Sequence, residues 1–424
     1  MGRLAMDLSP LRDSRDFRLL YLGFVGALVG TLVTTVAVAV QTYDLTGSPL
    51  HTGLVSLARA IPLVAGTLIG GVLADRMDRR RLLIATRLPL VVAVAVLAVN
   101  ALLPDPHLWP IYLATALTGL LAGLGGPAML AAIPALVGTE RLAAVGALTA
   151  ASVQLAALLG PALGGLLVAG PGLAVCYALD AAGILAFSLT LFFLPALPPR
   201  IRADDGPRSA AALRRAFASL ADGVRFVRGR RLVLGLLLID AAAMVFTMPQ
   251  ALYPALAEQD FGGGPVIVGL LYAAPALGAL IGAATSGWTA RAGGHALIAA
   301  VLLWGLSLTG FGLTTHLPLA LALLALAGLG DLVSETLRSA LLQHGTPDHL
   351  RGRVSSLWLT QATVSPALGN AALGLFAELT TVRTAITIGG LVCVLATLAI
   401  AAALPALRHA TLATPTPGEQ SSIP

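Results

Sequence analysis

The sequence predicts an all-α integral membrane protein with twelve transmembrane helices arranged as two six-helix bundles. Three observations support this prediction: an apolar content of 57%, a charged content of only 11%, and a mean hydropathy of +0.89. Soluble domains carry about 25% charged residues, so this chain belongs in lipid. A spanning helix needs about 20 mainly apolar residues, because each residue rises about 1.5 Å through a hydrocarbon core of about 30 Å.

Twelve stretches of this kind occur, and one long polar segment divides them into two sets of six. The predicted spans are residues 18–43, 52–73, 82–103, 109–135, 143–169, 172–195, 232–256, 265–289, 296–315, 318–342, 354–377 and 383–406. The predicted organisation comprises a cytoplasmic N-terminal segment (1–17), an N-terminal bundle (18–195), a cytoplasmic loop (196–231), a C-terminal bundle (232–406) and a disordered cytoplasmic tail (407–424). The tail is rich in Pro, Thr and Ser and has no apolar period, which is typical of disorder.

The positive charges lie almost entirely toward one side of the predicted spans. All 26 basic residues are arginines, and all but Arg59 and Arg383 lie toward that side. Because cytoplasmic loops carry the excess of arginine in membrane proteins, both termini are predicted to be cytoplasmic. The net charge of +6 is therefore a topology signal, and no nucleic-acid partner is predicted. Within the long loop, Ala211–Arg231 is either an amphipathic helix on the inner membrane surface or a plain connector.

The loop after the second span reads GVLADRMDRRRLL, from Gly71 to Leu83. It resembles the major facilitator superfamily signature G-x-L-a-D-r-x-G-r-r, with Asp78 in place of the second glycine. An aspartate at a helix end, followed by arginines, can pair with neighbouring helices and a helix N-terminus when the cytoplasmic side closes. The predicted conformational latch consists of Gly71, Asp75, Arg76, Arg79 and Arg80. The alternative is that these basic residues only fix the topology.

Small residues in the fifth span predict close helix packing. The segment GPALGG, Gly160 to Gly165, resembles part of the superfamily's span-five antiporter motif, and PALG recurs at Pro366–Gly369 in span eleven. Small residues four apart allow helices to approach closely in lipid. Inter-bundle packing is therefore predicted for Gly160, Pro161, Gly164 and Gly165. The alternative is that these residues serve general helix packing.

Motifs along residues 10–407 are similar to those of the bacterial enterobactin (siderophore) exporter family within that superfamily. The matching segments are YDLTGSP at Tyr43–Pro49, ALLPDP at Ala101–Pro106, LAAIPALVG at Leu130–Gly138, LPALPP at Leu194–Pro199, LYPALA at Leu252–Ala257, GLLYAAPALGALIGAATSG at Gly269–Gly287 and TPDHLRGRV at Thr346–Val354. The resemblance implies export of a catecholate siderophore from the cytoplasm, driven by the proton gradient. Relatives with nearly the same motifs resemble drug exporters, so broad drug efflux is the alternative.

Ionisable groups inside spans cost about 2.5–3.5 kcal/mol each, so they normally face a water-filled cavity or a partner. The chain has six of them: Arg59, Asp180, Asp240, Asp331, Glu335 and Arg338. The superfamily resemblance implies a cavity lined mainly by spans one, four, seven and ten, which favours the acids of spans seven and ten over Asp180. Asp331 and Glu335 share a helix face and can raise one another's affinity for a proton, and with Asp240 they are the proton-coupling candidates. Alternatively, Glu335 bonds Arg338 or the arginines at 351 and 353 without titrating.

Four residues are predicted to line the substrate cavity: Arg59, Thr31, Thr35 and Tyr112. Arg59 is the only deep cation toward the outer half and would attract an anionic ligand. Alternatively it snorkels to the surface or pairs with an acid. The hydroxyl and aromatic groups of the other three would hydrogen-bond or stack on a ligand.

The sequence as a whole predicts a secondary active exporter, a proton-driven antiporter that works by alternating access in a bacterial inner membrane. It is not predicted to be an enzyme, because the spans lack HExxH, GxSxG or paired catalytic His and Asp. No Cys or His spacing fits a metal site and no cofactor is predicted. The predicted partners are membrane lipid, a small-molecule substrate and protons, and the chain is predicted to be monomeric.

Overall fold

The computed structural model describes residues 7, 9–198, 223, 225–285 and 292–411. Within these ranges every regular element is helical, and twelve long helices follow one another along the chain. They are α1 (Arg15–Thr46), α2 (Pro49–Arg76), α3 (Arg79–Leu102), α4 (Leu108–Val137), α5 (Leu142–Ala169), α6 (Leu173–Phe192), α7 (Arg231–Phe246), α8 (Pro265–Thr285), α9 (Gly294–Leu313), α10 (Leu317–His344), α11 (Asp348–Leu379) and α12 (Val382–Ala403).

Eleven helices of the described ranges are long and apolar enough to cross a membrane, counting α7 together with its continuation to Gln259. The twelfth, α11, is 32 residues long but carries more polar side chains, including Arg351, Arg353, Gln361 and Asn370. The chain is therefore a multi-pass membrane protein, and the predicted all-α fold with twelve spans is confirmed.

The seventh span is broken, where the sequence predicted one continuous helix. Helix α7 stops at Phe246, a short 3-10 turn follows at Pro249–Leu252, and a second helix covers Tyr253–Gln259. Proline has no N–H and disfavours helical geometry in the residue before it, which explains a break ahead of Pro249. At the break, Thr247 Oγ1 accepts a hydrogen bond from Trp304 Nε1 at 2.6 Å. Such interrupted helices are tolerated at membrane depth where they line a cavity.

The long helices form two bundles, each with its own hydrophobic core. In the N-terminal half, α2 packs on α4, α3 packs on α4 and α6, and α1 packs on α5 and α6. In the C-terminal half, α10 packs on α8 and α9, and α12 packs on α9 and α7. The two halves meet mainly through α2 against α11 and α5 against α8. The two predicted six-helix bundles are thereby confirmed.

The small residues of α5 divide between two different contacts. Gly165 and Pro161 lie against Gly269 of α8, so they belong to the seam between the halves. Gly160 and Gly164 instead face α1 of the same bundle, so their predicted inter-bundle role is wrong. The reason is helical geometry: adjacent residues lie about 100° apart around the helix axis, so this run of small residues cannot face one neighbour only.

The chain ends and the central loop differ in part from the predicted organisation. Helix α1 already begins at Arg15, because Ser14 Oγ accepts a hydrogen bond from Phe17 N at 3.1 Å and caps it. The predicted disorder from residue 407 onward is wrong for residues 407–411. Leu407 is fully buried, and Ala410 O accepts a hydrogen bond from Gly294 N at 2.8 Å. The rest of the tail, 412–424, lies outside the described residues, as does most of the predicted amphipathic helix at 211–231.

The halves approach each other closely at one end of the molecule. We name this the arginine-poor end; it carries the turn between α1 and α2, whereas the arginine-rich end carries the turn between α2 and α3. At the arginine-poor end, Gln259 Nε2 donates to Tyr43 Oη at 3.0 Å, Ser48 donates to Glu378, and Gly53 lies against the backbone of α11. At the arginine-rich end, Asp75 is exposed.

Candidate functional site

A cavity of about 380 Å³ lies between the two halves. Its polar lining is Thr31, Thr34, Thr35, Thr42, Thr52, Ser56, Arg59, Arg87, Thr115, Thr118, Asp180, Gln250, Tyr272, Thr363 and Asn370. Apolar side chains such as Phe24, Leu28, Leu90 and Leu97 complete the wall. Ligand sites of this size, mostly apolar with a few convergent polar groups, are the usual binding sites of small molecules.

Three charged residues of the N-terminal half meet at this cavity: Arg59 of α2, Arg87 of α3 and Asp180 of α6. Both arginines interact electrostatically with Asp180. Among the residues that the structure describes, neither guanidinium forms an ion pair with Asp180 within 4.0 Å. The guanidinium donors therefore remain available to a ligand, and the net charge of the cluster is positive.

The carboxylate of Asp180 is fixed by its neighbours on α1. Asp180 is only 2% exposed, and Thr31 Oγ1 lies 3.5 Å from its Oδ1. Gly30 makes this position possible, because a Cβ at residue 30 would meet the backbone and carboxylate of Asp180. The close approach of α1 to α6 thus holds the acid at the cavity wall.

Three of the four predicted cavity residues, Thr31, Thr35 and Arg59, line the cavity. Arg59 is exposed although it lies about 15 Å, ten residues, from the start of α2, so it faces the open cavity. The prediction for Tyr112 is wrong. Its hydroxyl lies 2.9 Å from His51 Nδ1, at the contact between α2 and α4 and away from the cavity lining.

Arg87 was missed as a cavity residue, because it was counted among the topology arginines after the second span. It lies about 12 Å, eight residues, inside α3, and its guanidinium stands over the Phe187 ring at 5.1 Å. The signal was present in the sequence: five apolar or small residues, LLIAT, separate Arg87 from the cluster at Arg79–Arg81. An arginine that follows such a run lies below the membrane surface.

The C-terminal half holds a second group of charges. Arg338 Nη1 of α10 pairs with Asp240 Oδ1 of α7 at 2.9 Å, and Gln361 Nε2 of α11 donates to Asp240 Oδ2 at 3.0 Å. Asp331 interacts electrostatically with Arg338, whereas Glu335 is exposed. The group therefore ties three helices of one bundle together.

Of the spans expected to line the cavity, one and four contribute side chains such as Thr31 and Thr115, whereas seven and ten contribute almost none. Asp240, Asp331 and Glu335 are absent from the cavity lining, while Asp180, which the resemblance disfavoured, belongs to it. Helix α10 contributes no lining residue, and the seventh span contributes only Gln250, beyond its break. The physical reason is that Arg338 draws the Asp240 carboxylate into the interior of the bundle, where Asp240 is 1% exposed.

The signature turn between α2 and α3 binds the end of α6. Arg80 donates to the carbonyl oxygens of Leu191 and Phe192 at 2.9 and 2.7 Å, and Arg79 Nη1 donates to Ala131 O at 3.3 Å. These acceptors lie in the same half and not at a helix N-terminus, because a guanidinium is a donor only and fits carbonyl ends. Of the other latch candidates, Gly71 faces open space and Arg76 ends α2.

Asp78, the departure from the superfamily signature, has a structural role. Its carboxylate accepts from Arg81 N at 3.0 Å, which caps α3, and from Leu197 N at 2.9 Å. The Arg79 N–H in turn donates to Leu197 O at 3.0 Å. The turn thus holds the chain segment that leaves the N-terminal bundle.

Comparisons with known proteins give the family. The profile of the transmembrane secretion effector family matches residues 5–419. Enterobactin exporter EntS of Shigella boydii serotype 18 and of Escherichia coli O1:K1 are each 37% identical over 371 residues, covering 87% of this chain and 87% of the relative.

Solved structures agree on the fold. A variant of the peptide transporter POT superposes with a TM-score of 0.75 at 15% identity, covering 93% of this chain and 95% of that one. A variant of the nucleoside transporter NupG gives 0.70 at 13% identity, with 91% and 99% covered. The chain therefore belongs to the transmembrane secretion effector family of the major facilitator superfamily, and enterobactin exporters are among its relatives.

Proposed function

We propose that this chain exports a catecholate siderophore from the cytoplasm across the bacterial inner membrane. The observation that carries the proposal is the cavity between the halves, in which Arg59, Arg87 and Asp180 lie among a row of threonine hydroxyls. The relatives named as enterobactin exporters, 37% identical over most of both chains, support the same substrate class.

The chemistry of the cavity suits an aromatic ligand that is rich in oxygen. Arginine presents a planar fork of donors and also stacks on aromatic faces, and Arg87 already stands over the Phe187 ring. Threonine hydroxyls both donate and accept, so they match phenolic and amide groups. A catecholate siderophore presents aromatic rings, phenolic oxygens and amides together.

The apolar part of the same cavity favours a second candidate, broad drug efflux. Phe24, Leu28, Leu90 and Leu97 are among the apolar side chains that line the cavity. Apolar surface of this kind binds hydrophobic molecules with little directionality, so it accepts ligands of varied shape. The two candidates differ in whether transport needs the arginines.

The proposed mechanism is alternating access, driven by the proton gradient. The halves meet closely at the arginine-poor end through Tyr43, Gln259, Ser48 and Glu378, which fits a stage closed toward the outside. Rocking of one bundle about the seam, where Gly165 meets Gly269, would expose the cavity to the other side. We place the arginine-rich end and both termini in the cytoplasm, according to the positive-inside rule, and propose a monomer as the transporting unit.

The C-terminal charge group is the proposed site of proton coupling. Arg338 binds Asp240 directly, and Asp331 attracts the same guanidinium from two turns earlier on α10. Protonation of Asp240 therefore weakens the tie between α7 and α10, whereas protonation of Asp331 leaves Arg338 with Asp240 as its acidic partner. Such a change in one bundle can alter how that bundle packs at the seam. Glu335 is the third candidate, and its side chain is exposed, unlike that of Asp240, which is buried and paired with Arg338.

Siderophore secretion by cells tests the proposed function. The chain is expressed in a bacterium that makes a catecholate siderophore but has lost its own exporter, and catechols are measured in the medium and in the cytoplasm. We expect the chain to restore secretion and to lower the cytoplasmic pool. Restored drug resistance without restored secretion would favour drug efflux and contradict siderophore export.

A further inference from the structure

An acid beside two arginines is unexpected in a cavity for an oxygen-rich anion. Asp180 lies at the wall with Thr31 Oγ1 3.5 Å from its Oδ1, and both Arg59 and Arg87 act on it electrostatically. An ionised carboxylate only accepts hydrogen bonds, so it repels a second carboxylate and attracts groups that carry a proton. The cavity therefore combines the guanidinium donors of Arg59 and Arg87, which bind ligand oxygens, with the Asp180 carboxylate, which accepts hydrogen bonds from ligand O–H groups.

We propose that Asp180 is a specificity-determining residue that selects ligands with adjacent phenol groups and rejects ligands that carry a carboxylate in their place. This inference rests on the proposed function, and it names the chemical class that the cavity distinguishes. It also gives Asp180 a role different from the proton-coupling role proposed for the C-terminal charge group.

Two adjacent phenol groups satisfy both kinds of partner at once. One phenol O–H donates to Asp180, while the neighbouring phenol oxygen accepts from Arg59 or Arg87. The aromatic ring can then stack on a guanidinium, as the Phe187 ring does on Arg87. Asp180 and one of the two guanidiniums thus each gain a hydrogen-bond partner.

A carboxylate ligand fails for a specific reason. Its oxygens bind the arginines, but it brings no proton for Asp180, so two like charges face each other beside a carboxylate that is only 2% exposed. Specificity often comes from such repulsion of the wrong ligand as much as from attraction of the right one. The position of Asp180 is held by the close approach of α1 at Gly30, so the acid cannot easily turn away.

Binding of two matched probes to the purified full chain tests the proposal. The probes are dihydroxybenzamide, which carries adjacent phenols, and phthalamate, which carries a carboxylate on the same ring; affinities are measured by calorimetry in detergent at neutral pH. We expect the parent chain to prefer dihydroxybenzamide. Asp180→Asn should lower the affinity for dihydroxybenzamide by about tenfold, which corresponds to the loss of one hydrogen bond to a charged group. The same variant should raise the affinity for phthalamate.

Two controls make the result specific. Asp105→Asn removes an exposed carboxylate in the turn between α3 and α4 and should leave both affinities unchanged. If Asp180→Asn does not fold, Gly30→Ala replaces it, because the new Cβ would displace the Asp180 carboxylate; Gly26→Ala, one turn earlier on α1 and facing open space, is its matched control. Gly30→Ala should reduce the preference for phenols, whereas Gly26→Ala should not.

The proposal would be overturned if Asp180→Asn or Gly30→Ala kept the parent's preference for dihydroxybenzamide over phthalamate. It would also be overturned if a variant lost affinity for both probes equally. The secretion assay separates this failure from failure of the proposed function. A chain that secretes siderophore but shows an unchanged preference in the variants refutes only the role of Asp180. A chain whose preference changes as expected but which secretes no siderophore refutes the proposed function and leaves the selectivity of the cavity standing.

Discussion

Arg338 Nη1 lies 2.9 Å from Asp240 Oδ1, and this buried ion pair joins α10 to α7 inside the C-terminal bundle. Both residues are almost completely buried, at 4% and 1% exposure, and Gln361 adds a third helix to the tie. A charge in this environment depends on its partner, since neither can reach bulk water. The pair is thus both a structural tie and the centre of the proposed proton-coupling group.

Loss of one partner of this pair should destabilise the bundle. Asp240→Asn leaves Arg338 without its directly bound counter-charge, and we expect the free energy of unfolding to fall by about 3–5 kcal/mol. The double variant Asp240→Leu with Arg338→Met should recover much of the loss, because apolar residues of similar volume replace both charges. Thermal unfolding in detergent measures the effect. Equal destabilisation by the single and double variants would contradict this account of the pair.

The two acids of α10 should differ in their contribution to proton coupling. Asp331 lies in the field of Arg338, so Asp331→Asn should abolish most of the proton-driven flux in proteoliposomes. Glu335 is exposed and one turn further along, so Glu335→Gln should retain most of that flux. Unchanged coupled flux in both variants would remove α10 from the coupling mechanism, and loss in Glu335→Gln alone would reverse the assignment.

The contact between Gly165 and Gly269 should control how closely the halves approach. A larger side chain at either position collides with the backbone of the opposite helix, and such overpacking costs about 1–3 kcal/mol. We therefore expect Gly165→Val to reduce transport strongly while the purified protein keeps its helical content. Gly146→Val is the matched control on the same helix, because Gly146 faces open space. Equal transport by the two variants would show that the seam tolerates separation.

The carboxylate of Asp78 should stabilise the turn that holds the end of the N-terminal bundle. Asp78→Ala removes the cap of α3 and the hydrogen bond from Leu197 N, at an expected cost of about 1–3 kcal/mol in unfolding free energy. The melting temperature in detergent measures it, with Asp105→Ala as a control for loss of an exposed carboxylate. A melting temperature equal to that of the control would mean that the cap carries little of the turn's stability.

The sequence was sufficient to predict the helices and their division into two bundles. Apolar length determines a spanning helix almost alone, because lipid leaves the backbone few other ways to satisfy its hydrogen bonds. The break before Pro249 was not predicted, although the proline was visible, because a spanning helix often continues through a proline, as α5 does through Pro161.

Only part of the candidate site was predictable, since the direction of a side chain depends on packing. The prediction for Arg59 rested on the rule that a lone cation in a span must face a cavity or a partner, and Arg59 lies in the cavity lining. Asp180 was not predicted to line the cavity, because the superfamily resemblance favoured spans one, four, seven and ten and Asp180 lies in span six. Tyr112 was misplaced because an aromatic hydroxyl in a span also fits a structural contact, here with His51.

The departure at Asp78 illustrates a further limit of motif reading. A glycine in the signature would suggest only a tight turn, but the aspartate accepts a hydrogen bond from Leu197 N, more than a hundred positions away, as well as one from its own helix. Periodicity and spacing describe local structure, so they carry no information about a partner such as Leu197. The contact between Asp78 and Leu197 exists only in the folded chain.

Direct transport by purified chain tests the central claim most directly. Proteoliposomes with an imposed proton gradient are loaded with enterobactin, and its gradient-dependent movement is compared between the parent, the double variant Arg59→Gln with Arg87→Gln, and Arg81→Gln, an exposed arginine outside the cavity. We predict gradient-dependent transport by the parent and by Arg81→Gln, and loss of most of it in the double variant. Equal transport by the double variant, or no dependence on the gradient in the parent, would contradict a proton-driven siderophore exporter that binds its ligand at Arg59 and Arg87.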